Sequence, residues 1–107
     1  MDTINEKTTY IVTTTFKDEN AALVTPTAIT YSLFDKPSGT TILVDTACST
    51  PTASVYDITI SHTQNAIVNN SLDYEMKILT VTFTYDDGAK QGTGEHKYLV
   101  KNLKKIT

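Results

Sequence analysis

Leu79-Thr80-Val81-Thr82-Phe83-Thr84-Tyr85, ended by Asp86-Asp87-Gly88, is a strict alternation of apolar residues and threonine. A repeat of two puts Leu79, Val81, Phe83 and Tyr85 on one face of a strand and Thr80, Thr82 and Thr84 on the other. Such a strand belongs to a half-buried antiparallel sheet whose second face is wet. Just upstream, Tyr74, Met76 and Ile78 hold the opposite parity. One strand from Leu72 to Tyr85 would therefore slip phase at Ile78-Leu79. The slip implies a bulge, or a strand that changes the sheet it faces.

The same period recurs along the chain. Lys7 to Phe16 reads as a first strand, with Tyr10, Val12, Thr14 and Phe16 on one face and Ile11 among threonines on the other. Thr27 to Phe34 follows Pro26, with Ile29, Tyr31 and Leu33 inward. The turn Asp35-Lys36-Pro37-Ser38-Gly39 leads to a third strand, Thr40 to Thr46, with Ile42 and Val44 on one side and Leu43 on the other. Ser54 to Ser61 turns Tyr56, Ile58 and Ile60 inward. His62 to Asn70 is a polar loop whose Ala66-Ile67-Val68 can tuck over one end of the core. A glycine-rich loop from Gly88 to Gly94 precedes a last strand, Glu95 to about Asn102, with Leu103 and Ile106 continuing its packing. No segment carries a capped helical period. About six to seven short strands separated by turn signals predict an all-β chain folded as a single antiparallel β-sandwich over residues 1–107.

Composition narrows the function. Cys48 is the only cysteine, so no internal disulfide can form, which fits folding in a reducing cytoplasm. Met1 to Lys7 lacks the basic and apolar regions of a secretory signal, and no apolar run approaches the roughly 18 residues of a membrane span. A net charge of -3 and the absence of arginine argue against a nucleic-acid partner. Lys101, Lys104 and Lys105 cluster near the end. They read either as an acid-binding tail or, in preference, as lysines that keep an edge strand from pairing with strangers.

No catalytic set stands out. His62 and His96 are the only histidines, and Cys48 sits in a strand end and loop with no reactive elbow. Two histidines and a distant cysteine make no metal spacing, so no metal or cofactor is expected. Asp86-Asp87-Gly88 reads as a hairpin turn rather than half of a calcium site. Asn69-Asn70-Ser71 fits a glycosylation sequon, here taken as coincidental. Tyr31, Tyr56, Tyr85 and Tyr98 fall on core faces, which leaves little for a sugar- or base-stacking platform.

The early stretch Phe16-Lys17-Asp18 … Val24-Thr25-Pro26 … Ile29 to Asp35 … Gly39-Thr40-Thr41-Ile42 resembles the first strands of small immunoglobulin-like and fibronectin type III-like modules. Tyr74 to Val81, with Asp86-Asp87-Gly88 and Tyr98-Leu99-Val100, resembles their last hairpin, Tyr74 standing where such modules begin the penultimate strand. Cysteine-poor modules of this kind are common among virion proteins of tailed bacteriophages. The resemblance implies a non-enzymatic structural protein of the particle, in head decoration, neck or tail. It would be made in the host cytoplasm and joined to other virion proteins in a homo-oligomeric or symmetric assembly, with no nucleic acid, membrane or small molecule as partner. The alternatives are a carbohydrate- or receptor-binding β-sandwich, and a small enzyme or enzyme inhibitor. The strand Lys7 to Phe16 carries no charge in its middle, so Thr9, Ile11, Thr13 and Thr15 are the expected assembly strand, adding to a neighbouring chain's sheet.

Overall fold

A computed structural model describes residues 1–69 and 71–103. Its seven strands are β1 (Asp2–Asn5), β2 (Tyr10–Thr15), β3 (Ala28–Asp35), β4 (Thr40–Ala47), β5 (Val55–Ile60), β6 (Tyr74–Tyr85) and β7 (Lys90–Lys101), with no helix among the described residues. They form two sheets, one of five strands in the order β1-β7-β6-β3-β4 and one of two, β2-β5. All neighbours are antiparallel except β1 and β7, which run parallel. The core lies between the sheets: Val12, Phe16, Ile58 and Ile60 from the small sheet meet Ile29, Leu33, Leu79, Val81, Tyr98 and Val100 from the large one. The all-β class, six of the seven strands and the inward faces of β2, β3 and β5 follow the periodicity.

Strand β6 corrects the expected phase slip. Its register runs unbroken from Tyr74 to Tyr85 against β7 and from Lys77 to Thr84 against β3. There is no bulge. One parity, Glu75, Lys77, Leu79, Val81, Phe83 and Tyr85, faces inward throughout, and Tyr74, Met76 and Ile78 face outward. The apparent slip arises because the inner face changes chemistry halfway, from charged to apolar.

The charged half is fully satisfied. The Lys77 ammonium donates to Asp35 Oδ1 at 3.0 Å, to Glu75 Oε1 at 3.0 Å and to the Ala66 carbonyl at 3.4 Å, so its three protons are all used. The backbone N–H groups of Val68 and Asn69 donate to the two oxygens of Glu75, at 2.8 and 2.7 Å. Ser38 donates its hydroxyl to Asp35 Oδ2 at 2.5 Å. Asp35, Glu75 and Lys77 are sealed from solvent. The β5–β6 connection lies over this end, as expected of its Ala66-Ile67-Val68, although Ile67 packs on the core and Val68 is exposed.

Three more expectations change. No loop runs from Gly88 to Gly94; the turn closes within Asp86 to Ala89 and β7 resumes at Lys90. Asp86, Asp87 and Gly88 all have positive φ (56°, 56° and 85°), the left-handed path that suits a tight hairpin. In β4, Ile42 and Leu43 both touch the core while Val44 is 73% exposed, because the pairing with β3 shifts register twice. Tyr74 opens β6, but its ring is half exposed on the outer face rather than built into a corner. Strand β1 carries a single apolar residue, Ile4, and no alternation announces it. Lys101 ends β7 beside Asn5, Leu103 is partly exposed, and Lys104, Lys105 and Ile106 lie outside the described residues.

Three substitutions test this packing. Lys77→Met leaves two buried carboxylates with one partner fewer each, and unfolding by urea should show a loss of about 3–5 kcal/mol. Gly92 lies under the Phe83 ring, and a Cβ there would sit well inside contact distance of it, whereas a Cβ on Gly94 meets nothing within 4 Å. Gly92→Ala should therefore cost about 1–3 kcal/mol by overpacking, and Gly94→Ala should leave the urea midpoint unchanged or raised.

Candidate functional site

The antiparallel ladder decides which backbone groups of β2 are spare. Phe16 N–H donates to the Ser54 carbonyl at 2.8 Å, and Phe16 and Ser54 are directly opposite in the β2–β5 register. Hydrogen-bonded and non-hydrogen-bonded pairs alternate along such a ladder. Tyr10, Val12 and Thr14 therefore spend their N–H and C=O on β5, whereas the Phe16 carbonyl accepts from Val24 N–H at 3.1 Å. Ile11, Thr13 and Thr15 turn theirs to the opposite side, where no strand pairs with β2 among the described residues. These are three of the four residues expected to form the assembly strand. The fourth, Thr9, precedes β2 by one residue and is exposed. The side chains of Ile11, Thr13 and Thr15 lie on the outer face, Ile11 56% exposed, with Thr13 Oγ1 donating to Asp57 Oδ1 across the sheet at 2.7 Å.

The open edge of β2 borders a groove of about 380 Å³. Its floor is apolar, from Val12, Leu79, Val81 and Phe83, and its far wall is β7 from Thr93 to His96. The β7 ladder has the same logic. Asn102 N–H donates to the Asp73 carbonyl, in register with the β6–β7 pairing, so even-numbered residues of β7 bond β6. Gln91, Thr93, Glu95 and Lys97 then turn their backbone groups outward, beyond the reach of the short β1, which pairs only with Tyr98 to Lys101. The groove thus lies between two unpaired strand edges, and Gly94 leaves its wall bare.

One end of the groove is latched. Tyr10 donates its hydroxyl to Asp2 Oδ2 at 2.5 Å and sits 3.0 Å from His96 Nε2. A phenol has one proton to give, so His96 Nε2–H is the donor in the second bond. The Tyr10 ring lies against Tyr98, with centroids 4.6 Å apart, and Tyr98 donates to buried Asn65 at 2.7 Å. Asp2, Tyr10 and His96 look like a relay but act as a clamp between β1, β2 and β7. Burial first, then the hydrogen bond and charge of Asp2, push the Tyr10 phenol up to about 12. It is neither base nor nucleophile near neutrality.

The other reactive side chains lie elsewhere. Cys48 follows β4 at the opposite flank of the large sheet from β7, so it does not meet His96. Burial pushes its thiol up against the opposing effect of a hydrogen bond from Tyr56, which disfavours the thiolate. His62 is exposed on the β5–β6 connection. Among the described residues no three His, Cys, Asp or Glu side chains gather to hold a metal ion. Asn69 caps Ser71 through its side-chain oxygen, and Asn70 lies outside the described residues. The groove itself has no sequence signal beyond the unusual pair Gly92 and Gly94 within a strand.

The raised phenols make the fold alkali-sensitive. Tyr10 and Tyr98 hold their protons more tightly folded than unfolded, both mainly through burial. Their contribution is complete below about pH 10 and is lost as pH climbs past it toward the folded values. Stability measured by urea should fall steeply between about pH 10 and 12, and Tyr10→Phe should flatten that fall. Comparison of the chain with protein-family models, curated proteins and solved structures gives no match.

Proposed function

We propose that this chain is a non-catalytic structural module that joins a larger assembly through the free edge of β2. The observation that carries the reading is the contrast between this edge and the others. Strands expose rows of unpaired N–H and C=O groups at a sheet edge, and monomers blunt such edges with charge, brevity or irregularity. Strand β1 has only four residues and carries Asp2. Strand β4 is irregular, with Asp45 at a positive φ of 24°. Strand β5 carries Asp57 mid-strand, and the open part of β7 carries Lys90, Glu95 and Lys97. Strand β2, Tyr-Ile-Val-Thr-Thr-Thr, has no charge, proline or bulge.

The strand order supports an immunoglobulin-like reading of the fold. With β3, β6 and β7 as strands C, F and G, and β2 and β5 as B and E, the adjacent strands match that arrangement. The strand that flanks B there has no counterpart beside β2 among the described residues. The finer role, a head-decoration, neck or tail component of a tailed bacteriophage particle, rests on the sequence resemblance.

Proline placement tests the edge. Val12 N–H serves the β2–β5 ladder, so Val12→Pro would damage the monomer itself. Thr13 N–H is spare, so Thr13→Pro should cost the monomer only about 1 kcal/mol, from the lost bond to Asp57, while abolishing assembly. Retained assembly in Thr13→Pro would exclude β2 as the contact. For the particle role, quantitative mass spectrometry of purified virions should find this chain at a copy number set by particle symmetry; its absence would end that reading.

A further inference from the structure

We infer that the groove between β2 and β7 is a binding site for a single extended peptide segment of a partner protein, which completes the smaller sheet as its third strand. The inference rests on the assembly reading and names the occupant of its contact.

The shape of the groove selects a strand. Spare backbone groups of Ile11, Thr13 and Thr15 repeat every second residue along one side of the groove, which matches the repeat of an extended backbone. A compact small molecule cannot answer three such positions in a row. An extended peptide answers them with its own main chain, and its alternate side chains then point to the apolar floor. The space opposite is unfilled, because a Cβ built on Gly94 meets no atom within 4 Å. Side chains of valine or alanine size fit this volume.

The chemistry of the walls sets the peptide's composition. The floor of Val12, Leu79, Val81 and Phe83 is apolar, so inward positions of the partner segment must be uncharged. Lys17 lines one end of the groove and forms no salt bridge among the described residues. An acidic residue at that end of the segment would meet it.

The arrangement also disfavours the edge of a second folded copy. The wall of the groove is β7, which lies further out in the large sheet than β6, whose side chains form the floor. The large sheet therefore projects beyond β2. In a two-fold pairing of β2 with β2, each copy's projecting β7 would run beneath the other's small sheet, where its own core already lies. A lone strand, with no sheet beneath it, reaches the edge without that collision.

The probe is a short blocked peptide of alternating threonine and valine that ends in one glutamate. Titrated into the labelled full chain, it should shift the backbone amides of Ile11, Thr13 and Thr15 and slow their hydrogen exchange. Gly94→Leu fills the groove where space is open, and Thr13→Pro deletes one spare donor. Each should weaken binding about tenfold while the amide spectrum of the rest of the fold is retained. The same peptide with aspartate at its inward positions should not bind. Absence of shifts along β2, or undiminished binding by Gly94→Leu, overturns the groove. Protection of the same amides that rises with protein concentration alone, without peptide, assigns the edge to a second copy and overturns the proposed occupant. Assembly that survives in Gly94→Leu but fails in Thr13→Pro leaves the assembly role standing and removes only the groove from it.

Discussion

Two strands cannot cover the inner face of five, and the rest of this structure follows from that mismatch. The inner face of the large sheet must be kept from water by something other than a matching sheet. Over the apolar half of β6, the β2–β5 pair supplies the cover with Val12, Phe16, Ile58 and Ile60. Over the other half, a loop supplies it, and a loop brings backbone polar groups that need partners. Glu75 accepts the N–H groups of Val68 and Asn69, Lys77 donates to the Ala66 carbonyl, and Asp35 holds the β3–β4 turn through Ser38. A charged inner face is the answer to a loop lid. Beside β2 no lid is present among the described residues, and the groove is what remains.

This division explains what could be read from the sequence. Alternation reports which parity is apolar, and where the cover is a sheet the apolar parity is the buried one. Val12, Ile29, Leu33, Ile58, Ile60, Leu79 and Val81 were legible for that reason. Where the cover is a polar loop, the rule inverts. Glu75 and Lys77 point inward while Met76 and Ile78 point outward, so an uninterrupted strand looked like two halves out of phase. Nothing in the residues 74–78 taken alone distinguishes a bulge from a buried ion network; the answer lies in Asp35, about forty positions away in the chain, and in the lid.

The candidate edge was partly legible. The absence of charge in Thr8 to Phe16 is visible in the sequence, and it singled out the odd-numbered residues of β2. Their spare backbone groups are a property of the ladder, which requires knowing that β5 lies on only one side. The groove was hidden altogether. Half of its far wall, Thr93 and Gly94, reads in the sequence as the end of a glycine-rich loop, because Gly92 and Gly94 weaken the strand signal of β7. One of those glycines makes room for the Phe83 ring, and the other leaves the wall open.

The parallel pairing of β1 with β7 has a mechanical consequence. Chain direction in the two strands is the same, from Asp2 beside Tyr98 to Asn5 beside Lys101. Tension that pulls on β1 from its upstream end and on β7 from its downstream end acts along the ladder in opposite senses. The rungs between these strands then share the load in shear and must break together instead of opening one after another. The Glu6 N–H to Lys101 carbonyl bond extends the same seam, and Tyr10 of β2 ties β1 to β7 by bonding both Asp2 and His96. A chain built this way resists being drawn apart from the ends of β1 and β7 more than its short first strand would suggest.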